Sequence, residues 1–332
     1  MRLVQFRTPD GQRHVGVVQP DGNSLAVLAG VETTYALALS AIANGQGLEA
    51  EIAGLGREPG PGLDDLVASG VLLPPLDHPE PSRFWLTGTG LTHIGSAQAR
   101  DHMHELAHSD GEAGLTDSMK IFKMGLEGGK PGKGKVGVQP EWFYKGTGTN
   151  LVAPEADMPM PAFALAGGEE AEIVGLYIIG PDGTPWRIGY ALSNEFSDQV
   201  TEAQNYLYLA HSKLRACSMG PELLVGELPE DVRGSVRVIR DGKLVWEGEF
   251  ASGEANMSHS IENLEHHHFR YDMFRRPGDL HAHFFGAPIL SCANGVETRD
   301  GDLFEIDVPQ FGRPLRNRMR RQPATPVTVK AL

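Results

Sequence analysis

The sequence predicts an α+β protein rich in strand, with a small N-terminal α+β domain over residues 1–79 and a larger β-rich domain over residues 80–332. Three observations predict it. Short apolar runs with period-two alternation recur along the chain, Pro-Asp-Gly and Asp-Gly turns separate them, and few windows have helical composition. A length of 332 residues suits one large domain and a smaller one better than a single minimal core.

The elements follow in order. Residues 1–28 read as two or three short strands, broken at Pro9-Asp10-Gly11 and Pro20-Asp21-Gly22. Residues 32–56 have helical composition, interrupted near Gly45–Gly47. The Pro/Gly-rich stretch Arg57–Gly62 and the run from Pro74 to Pro81 read as loop and linker. Farther on, Val236–Ile239 and Leu244–Phe250 flank Asp241-Gly242, a hairpin signal. Val200–Leu214 is the clearest helix, and Leu303–Val308 alternates like a half-buried strand. The tail from Arg313 is basic, then Pro-rich, and is expected to be loose.

Composition excludes some classes of function. The formal net charge is −14 at pH 7, which repels phosphate backbones, so nucleic acid is not an expected partner. No run of about 18 apolar residues is present to span a membrane. The first residues, MRLVQFRTPDGQRHVGVV, lack the apolar segment of a signal peptide, and two cysteines, Cys217 and Cys292, suit a reducing compartment. The expected location is the cytoplasm.

Four motifs carry possible chemistry. His104-Glu105-Leu106-Ala107-His108 matches the zinc-protease pattern HExxH. Ser109-Asp110-Gly111 ends any helix there at once, so chance is the better explanation. Gly129–Val136 approaches a phosphate-binding loop, but Val136 stands where a metal-binding hydroxyl is needed and Pro131 removes a donor. A basic loop over an active site is the alternative. Glu265-His266-His267-His268 suggests a metal patch, although three consecutive histidines cannot face one point. The fourth motif is Glu170-Ala171-Glu172, which opens a β-branched run. On a strand its two carboxylates share a face and repel unless a cation lies between them. Hard oxygen donors suit Mg²⁺ or Mn²⁺. Glu195 follows a short apolar strand and supplies a third carboxylate. The alternative is a solvated strand end with exposed glutamates.

From about residue 81 onward, the order of segments resembles the fumarylacetoacetate hydrolase superfamily. The resemblance rests on Pro140…Lys145-Gly146, Glu170-Ala171-Glu172, Gly189-Tyr190…Asn194-Glu195, Lys213…Met219-Gly220-Pro221, Pro277-Gly278-Asp279 and Gly286-Ala287-Pro288. Thr89–Ala97, Arg100–His104 and Asn194–Asp198 are similar to the sugar-acid branch, which includes 2-keto-3-deoxy-pentonate dehydratases. The segment Arg100–His104 overlaps the HExxH match and accounts for it without zinc.

The resemblance implies a mixed β-sandwich or β-roll, a homodimer, and a bound Mg²⁺ or Mn²⁺ on Glu170, Glu172 and Glu195. It implies that Lys213 is catalytic, that His93 is the candidate acid/base, that Ser96 is a further catalytic position, and that Lys145, Asn194, Gln199 and Ala287 line the substrate pocket. Several positions depart from the family pattern. Glu195 stands where Asp is usual, Gln199 where Arg is usual, and Ala287 replaces a threonine. Ser96 occupies the position of the hydrolytic histidine, which weakens the case for water activation.

The implied reaction is metal-assisted dehydration of a small 2-keto acid, a 2-keto-3-deoxy-pentonate, to 2-oxoglutarate semialdehyde. The alternatives are a hydrolase cleaving a C–C bond of a 2,4-diketo-3-deoxy sugar acid or another acylpyruvate, a Schiff-base lysine enzyme, and a catalytically inactive scaffold.

Overall fold

The computed structural model describes residues 1–95, 97–98 and 116–332. The HExxH match and Ser96 lie outside the described residues, as does Arg100–His104. Within the described residues the fold is α+β and β-rich, built on two sheets.

At the centre of the larger sheet is strand Ala171–Ile179, buried along its whole length. Its β-branched and aliphatic residues point to both faces, as expected of a strand covered on both sides. Burial of Ile173, Leu176 and Ile178 contributes roughly 1.5–3 kcal/mol each. Antiparallel neighbours flank it, Pro185–Asn194 on one side and Leu280–Phe284 on the other. The second sheet has five strands, from the hairpin Val232–Arg240 and Lys243–Ser252 through Leu303–Asp307 and Leu315–Arg321 to Asp157–Met160. One core lies under the central strand and includes Val174, Leu176 and Leu280, while Ile173, Tyr190, Val236, Phe285 and Ile306 join the two sheets through another.

The first 79 residues form strands Arg2–Arg7, Arg13–Val18 and Leu25–Leu28, with turns at the two Pro-Asp-Gly sites. Helices Thr34–Ala43 and Leu48–Gly54 fill the helical window, and Gly45 between them has a φ of +63° that favours glycine. This segment has a small cluster of its own around Val4, Phe6 and Leu66. It also continues the large sheet, because Arg2 pairs with Leu224 and Leu3 with Leu223, and Leu3 and Val15 share a core with Val174.

The hairpin turn forms as expected, with φ of 50° at Asp241 and 74° at Gly242, which suits a two-residue turn between right-twisted strands. Two expectations need correction. Residues 200–214 are not one helix. Helix Gln199–Gln204 stops at Asn205, which is extended and accepts a hydrogen bond from Leu207 N, before helix Leu209–Lys213 begins. Leu207 is 79% exposed, so the window lacks the continuous apolar stripe that would hold a long helix on a core. The tail is also ordered farther than expected: Leu315–Arg321 pairs with strands on both sides, its alternate residues Leu315, Asn317 and Met319 being buried.

The loop Gly129–Val136 follows a helix, Asp117–Gly128, and no helix follows it, so it is not a strand–loop–helix phosphate cradle. Lys130 Nζ donates to Glu254 O, and Lys133 and Lys135 are exposed. Among the described residues no helix is long and apolar enough to cross a membrane.

Candidate metal centre and its lysines

Three strand-end glutamates converge. The pairing register sets Ala171 opposite Asn194 and Glu172 opposite Ser193, so Glu170, Glu172 and Glu195 meet where the two strands end. Glu195 N donates to Glu170 O and Glu170 N to Asn194 Oδ1, which fixes the two chain ends against each other. One carboxylate oxygen from each of Glu170, Glu172 and Glu195 lies within 4.8 Å of the others. All three side chains are buried, which excludes the solvated strand end. Glu169, on the opposite face, accepts hydrogen bonds from Ser291 N and Ser291 Oγ, both at 2.8 Å. Burial raises its pKa to about 7, against the lowering effect of those bonds.

Two buried lysines enter the cluster. Lys213 Nζ lies 2.7 Å from both oxygens of Glu170 and 2.7 Å from Glu195 Oε2, and it sits 4.9 Å from the centre of the Phe143 ring. Burial alone would lower its pKa, but Glu170 and Glu195 outweigh that and hold it well above the usual lysine value. Lys145 Nζ pairs with Glu195 Oε1 at 2.6 Å and donates to Phe196 O. Glu172 has no lysine bonded to it and accepts from Gly286 N at 2.7 Å. Burial, then Glu195 and Glu170, push its pKa well above the usual carboxylate value. With the neighbouring Glu202, four buried carboxylates face two ammonium groups. With all four ionised, two negative charges stand unbalanced, a deficit that a proton on Glu172 reduces and that one divalent cation on this hard, acidic donor set would neutralise.

The recess beside the cluster is lined by Gly90, Leu91, Phe143, Glu170, Glu172, Gln199, Glu202, Lys213, Ala287 and Leu290. Its free volume is about 20 Å³, room for about one water molecule. Gln199 Nε2 donates to Glu170 Oε1 at 3.3 Å and also borders a wider cleft with Gly168, Val200 and Cys292. Asp198 organises this corner. It caps helix Gln199–Gln204 through Thr201 N, binds Arg215 at 2.9 Å, and accepts from Leu165 N and Ala166 N. Burial opposes its ionisation, but these bonds together hold its pKa below the usual value. The cap matters because a six-residue helix is not stable alone.

Of the residues singled out from the sequence, Gln199, Ala287 and Lys213 line the recess with Glu170 and Glu172. Lys145 and Asn194 do not line it: Lys145 holds Glu195, and Asn194 ties the strand ends together. His93 does not line it either. Its Nδ1 lies 2.9 Å from Thr92 Oγ1 and its Nε2 3.1 Å from Ser252 Oγ, and burial lowers its pKa to about 3. The histidine triplet separates. His266 faces outward, whereas His268 packs on His281 and His283 without converging on one point among the described residues. Sequence reasoning missed Glu202. It lies three residues beyond Gln199 on the same helix, and that spacing places both on one face.

No family model matches the chain, and no curated protein matches it. Solved structures do match. One is 2-keto-3-deoxy-D-arabinonate dehydratase in its apo form, with a TM-score of 0.71 and 18% identity, covering 98% of this chain and 100% of that one. A second is the same enzyme complexed with magnesium and 2,5-dioxopentanoate, with the same score, identity and coverage. A third is 5-carboxymethyl-2-hydroxymuconate delta-isomerase from Mycobacterium smegmatis, at TM-score 0.58 and 18% identity, again covering 98% of this chain and 100% of that one. The chain therefore has, over nearly its whole length, the fumarylacetoacetate hydrolase-like fold that its sequence resembles.

Proposed function

We propose that the protein is a divalent-metal-dependent lyase that removes water from a 2-keto-3-deoxy-pentonate and yields 2-oxoglutarate semialdehyde. The observation that carries this reading is the buried trio Glu170, Glu172 and Glu195, set with Lys213 at one recess. The solved dehydratase with magnesium and 2,5-dioxopentanoate supports it, since that compound is the product the proposed reaction releases. By the same reading the native ion is Mg²⁺ or Mn²⁺, the assembly a homodimer and the compartment the cytoplasm.

Glu170, Glu172 and Glu195 would hold the divalent ion, which would supply Lewis acidity toward a 2-keto carbonyl. The chain's own residues do the rest. Lys213 presents a fixed ammonium to an anionic substrate oxygen. Lys145 holds Glu195 in place, and Gln199 and Asn194 fix Glu170. Leu91, Phe143 and Leu290 keep the recess apolar on the remaining sides, which limits water and strengthens these charges.

The test is an assay of purified protein with Mg²⁺ on D- and L-2-keto-3-deoxy-pentonate, coupled to a semialdehyde-oxidising dehydrogenase, with Glu172→Ala as control. Semialdehyde that disappears in the variant supports the lyase. Pyruvate released from a 2,4-diketo-3-deoxy acid, with no semialdehyde from either isomer, would instead establish the hydrolase.

A further inference from the structure

Dehydration at C3–C4 needs a base for the C3 proton, and the described lining of the recess offers few candidates. Glu170 and Glu172 belong to the metal centre. Lys213 is an ammonium held by three carboxylate oxygens and by Ser197 Oγ at 3.2 Å. Gln199 carries no titratable group, and Leu91, Phe143, Ala287 and Leu290 are apolar. His93 is directed at Thr92 and Ser252. Glu202 remains. Its side chain is 4% exposed, it lines the recess beside Lys213, and Ser212 Oγ lies 3.4 Å from its Oε2. The Asp198 cap positions its helix, and Glu202 shares a face with Gln199.

We propose that Glu202 is the proton-transfer residue of the site. This inference rests on the enolising reading above. The C3–H bond breaks, its proton passes to the Glu202 carboxylate, and its electron pair forms the C2–C3 double bond of the enolate. The enolate then re-forms the C2 carbonyl, its C2–C3 pair shifts to make C3=C4, and the C4–O bond breaks with its pair on oxygen, which takes the proton back from Glu202 and leaves as water. The resulting 5-hydroxy-3-ene 2-keto acid tautomerises by moving a proton from C5 to C3, and the C4=C5 enol becomes the aldehyde. Glu202 returns to a carboxylate, and the substrate has lost one H and one OH.

The experiment uses 2-oxopentanoate, which has the five-carbon chain and enolisable C3 protons but no C4 hydroxyl. Wild-type protein, Glu202→Gln and Glu202→Asp are incubated with Mg²⁺ in D₂O, and C3 exchange is followed by NMR. Mg²⁺ binding is measured in parallel by calorimetry. The expected result is exchange by the wild type, at least about a hundredfold slower exchange by Glu202→Gln with Mg²⁺ binding retained, and partial recovery in Glu202→Asp. Exchange by Glu202→Gln within about threefold of wild type would overturn the proposal, set against the hundredfold loss expected of a missing base. So would a loss of exchange that accompanies a loss of Mg²⁺ binding, because Glu202 would then act on the architecture of the site. A wild type that binds Mg²⁺ but exchanges nothing removes the enolising reading itself, and this inference with it.

Discussion

Lys213 Nζ stands 2.7 Å from each carboxylate oxygen of Glu170, with both side chains buried. The pair sits inside a cluster with more carboxylates than ammonium groups, so the lysine is a counter-charge as well as a candidate contact for substrate.

Removing that counter-charge is costly. Lys213→Met should lower stability by about 3–5 kcal/mol near pH 7, the usual range when one member of a buried ion pair is lost. Glu170 taking up a proton reduces the cost, and its pKa is already raised by burial. Mg²⁺ should therefore stabilise the variant more than the wild type. Urea denaturation with and without Mg²⁺ measures both effects, and equal Mg²⁺ responses would contradict the counter-charge role.

Gly286 links the backbone to the metal centre. Its N–H binds Glu172, its φ is +97°, and a Cβ there would collide with Thr92 Oγ1, which also meets His93. Gly286→Ala should cost about 1–3 kcal/mol from backbone strain alone, and Glu172 should lose its donor. The expected readouts are a lower urea midpoint and weaker Mg²⁺ binding. A variant matching wild type in both would show that the segment adapts freely.

Acid should destabilise the fold above the range where carboxylates titrate. His93 and His268 are held at about 3 and His259 at about 4, in each case first by burial, and His281 and His283 lie well below the usual value for the same reason. The unfolded chain binds these protons below about pH 6.5, while the folded chain does not. The stability the histidines contribute is then fully present above that pH and falls as pH drops toward 4, by about 1.4 kcal/mol per pH unit for each histidine. Urea midpoints from pH 7 to 4.5 measure the slope. The raised pKa values of Glu169 and Glu172 act in the opposite sense, so the histidine share is read from the difference between wild type and a histidine variant. His281→Phe should reduce the slope by about one proton.

How far the site was legible depended on what each residue requires of its surroundings. Glu170 and Glu172 stood out because strand alternation sets both on one face, and the β-branched run after them leaves little alternative to a strand. The turns at Asp241-Gly242 and the two Pro-Asp-Gly sites were legible for the same local reason. Tertiary packing decided the rest. Asn205 breaks a helix that composition favours, because Leu207 has no core to face. Leu315–Arg321 forms a strand, since its buried alternate residues matter only once neighbouring strands are in place. His93 was a candidate acid/base on the resemblance alone, and in the structure Thr92 and Ser252 lie against its ring nitrogens. Glu202 had no motif of its own and was missed, its helical spacing from Gln199 being the one signal that could have found it.

The account rests on Glu170, Glu172 and Glu195 as a metal centre, and titration of the wild type and Glu172→Gln with Mg²⁺ or Mn²⁺ by calorimetry tests this most directly. The prediction is one ion per chain in the wild type, with proton release and tighter binding as pH rises, because the raised pKa of Glu172 means that its carboxyl must give up a proton to become a ligand. Glu172→Gln should fold normally and bind at least about tenfold more weakly. No binding by the wild type, or equal binding by the variant, would contradict the account.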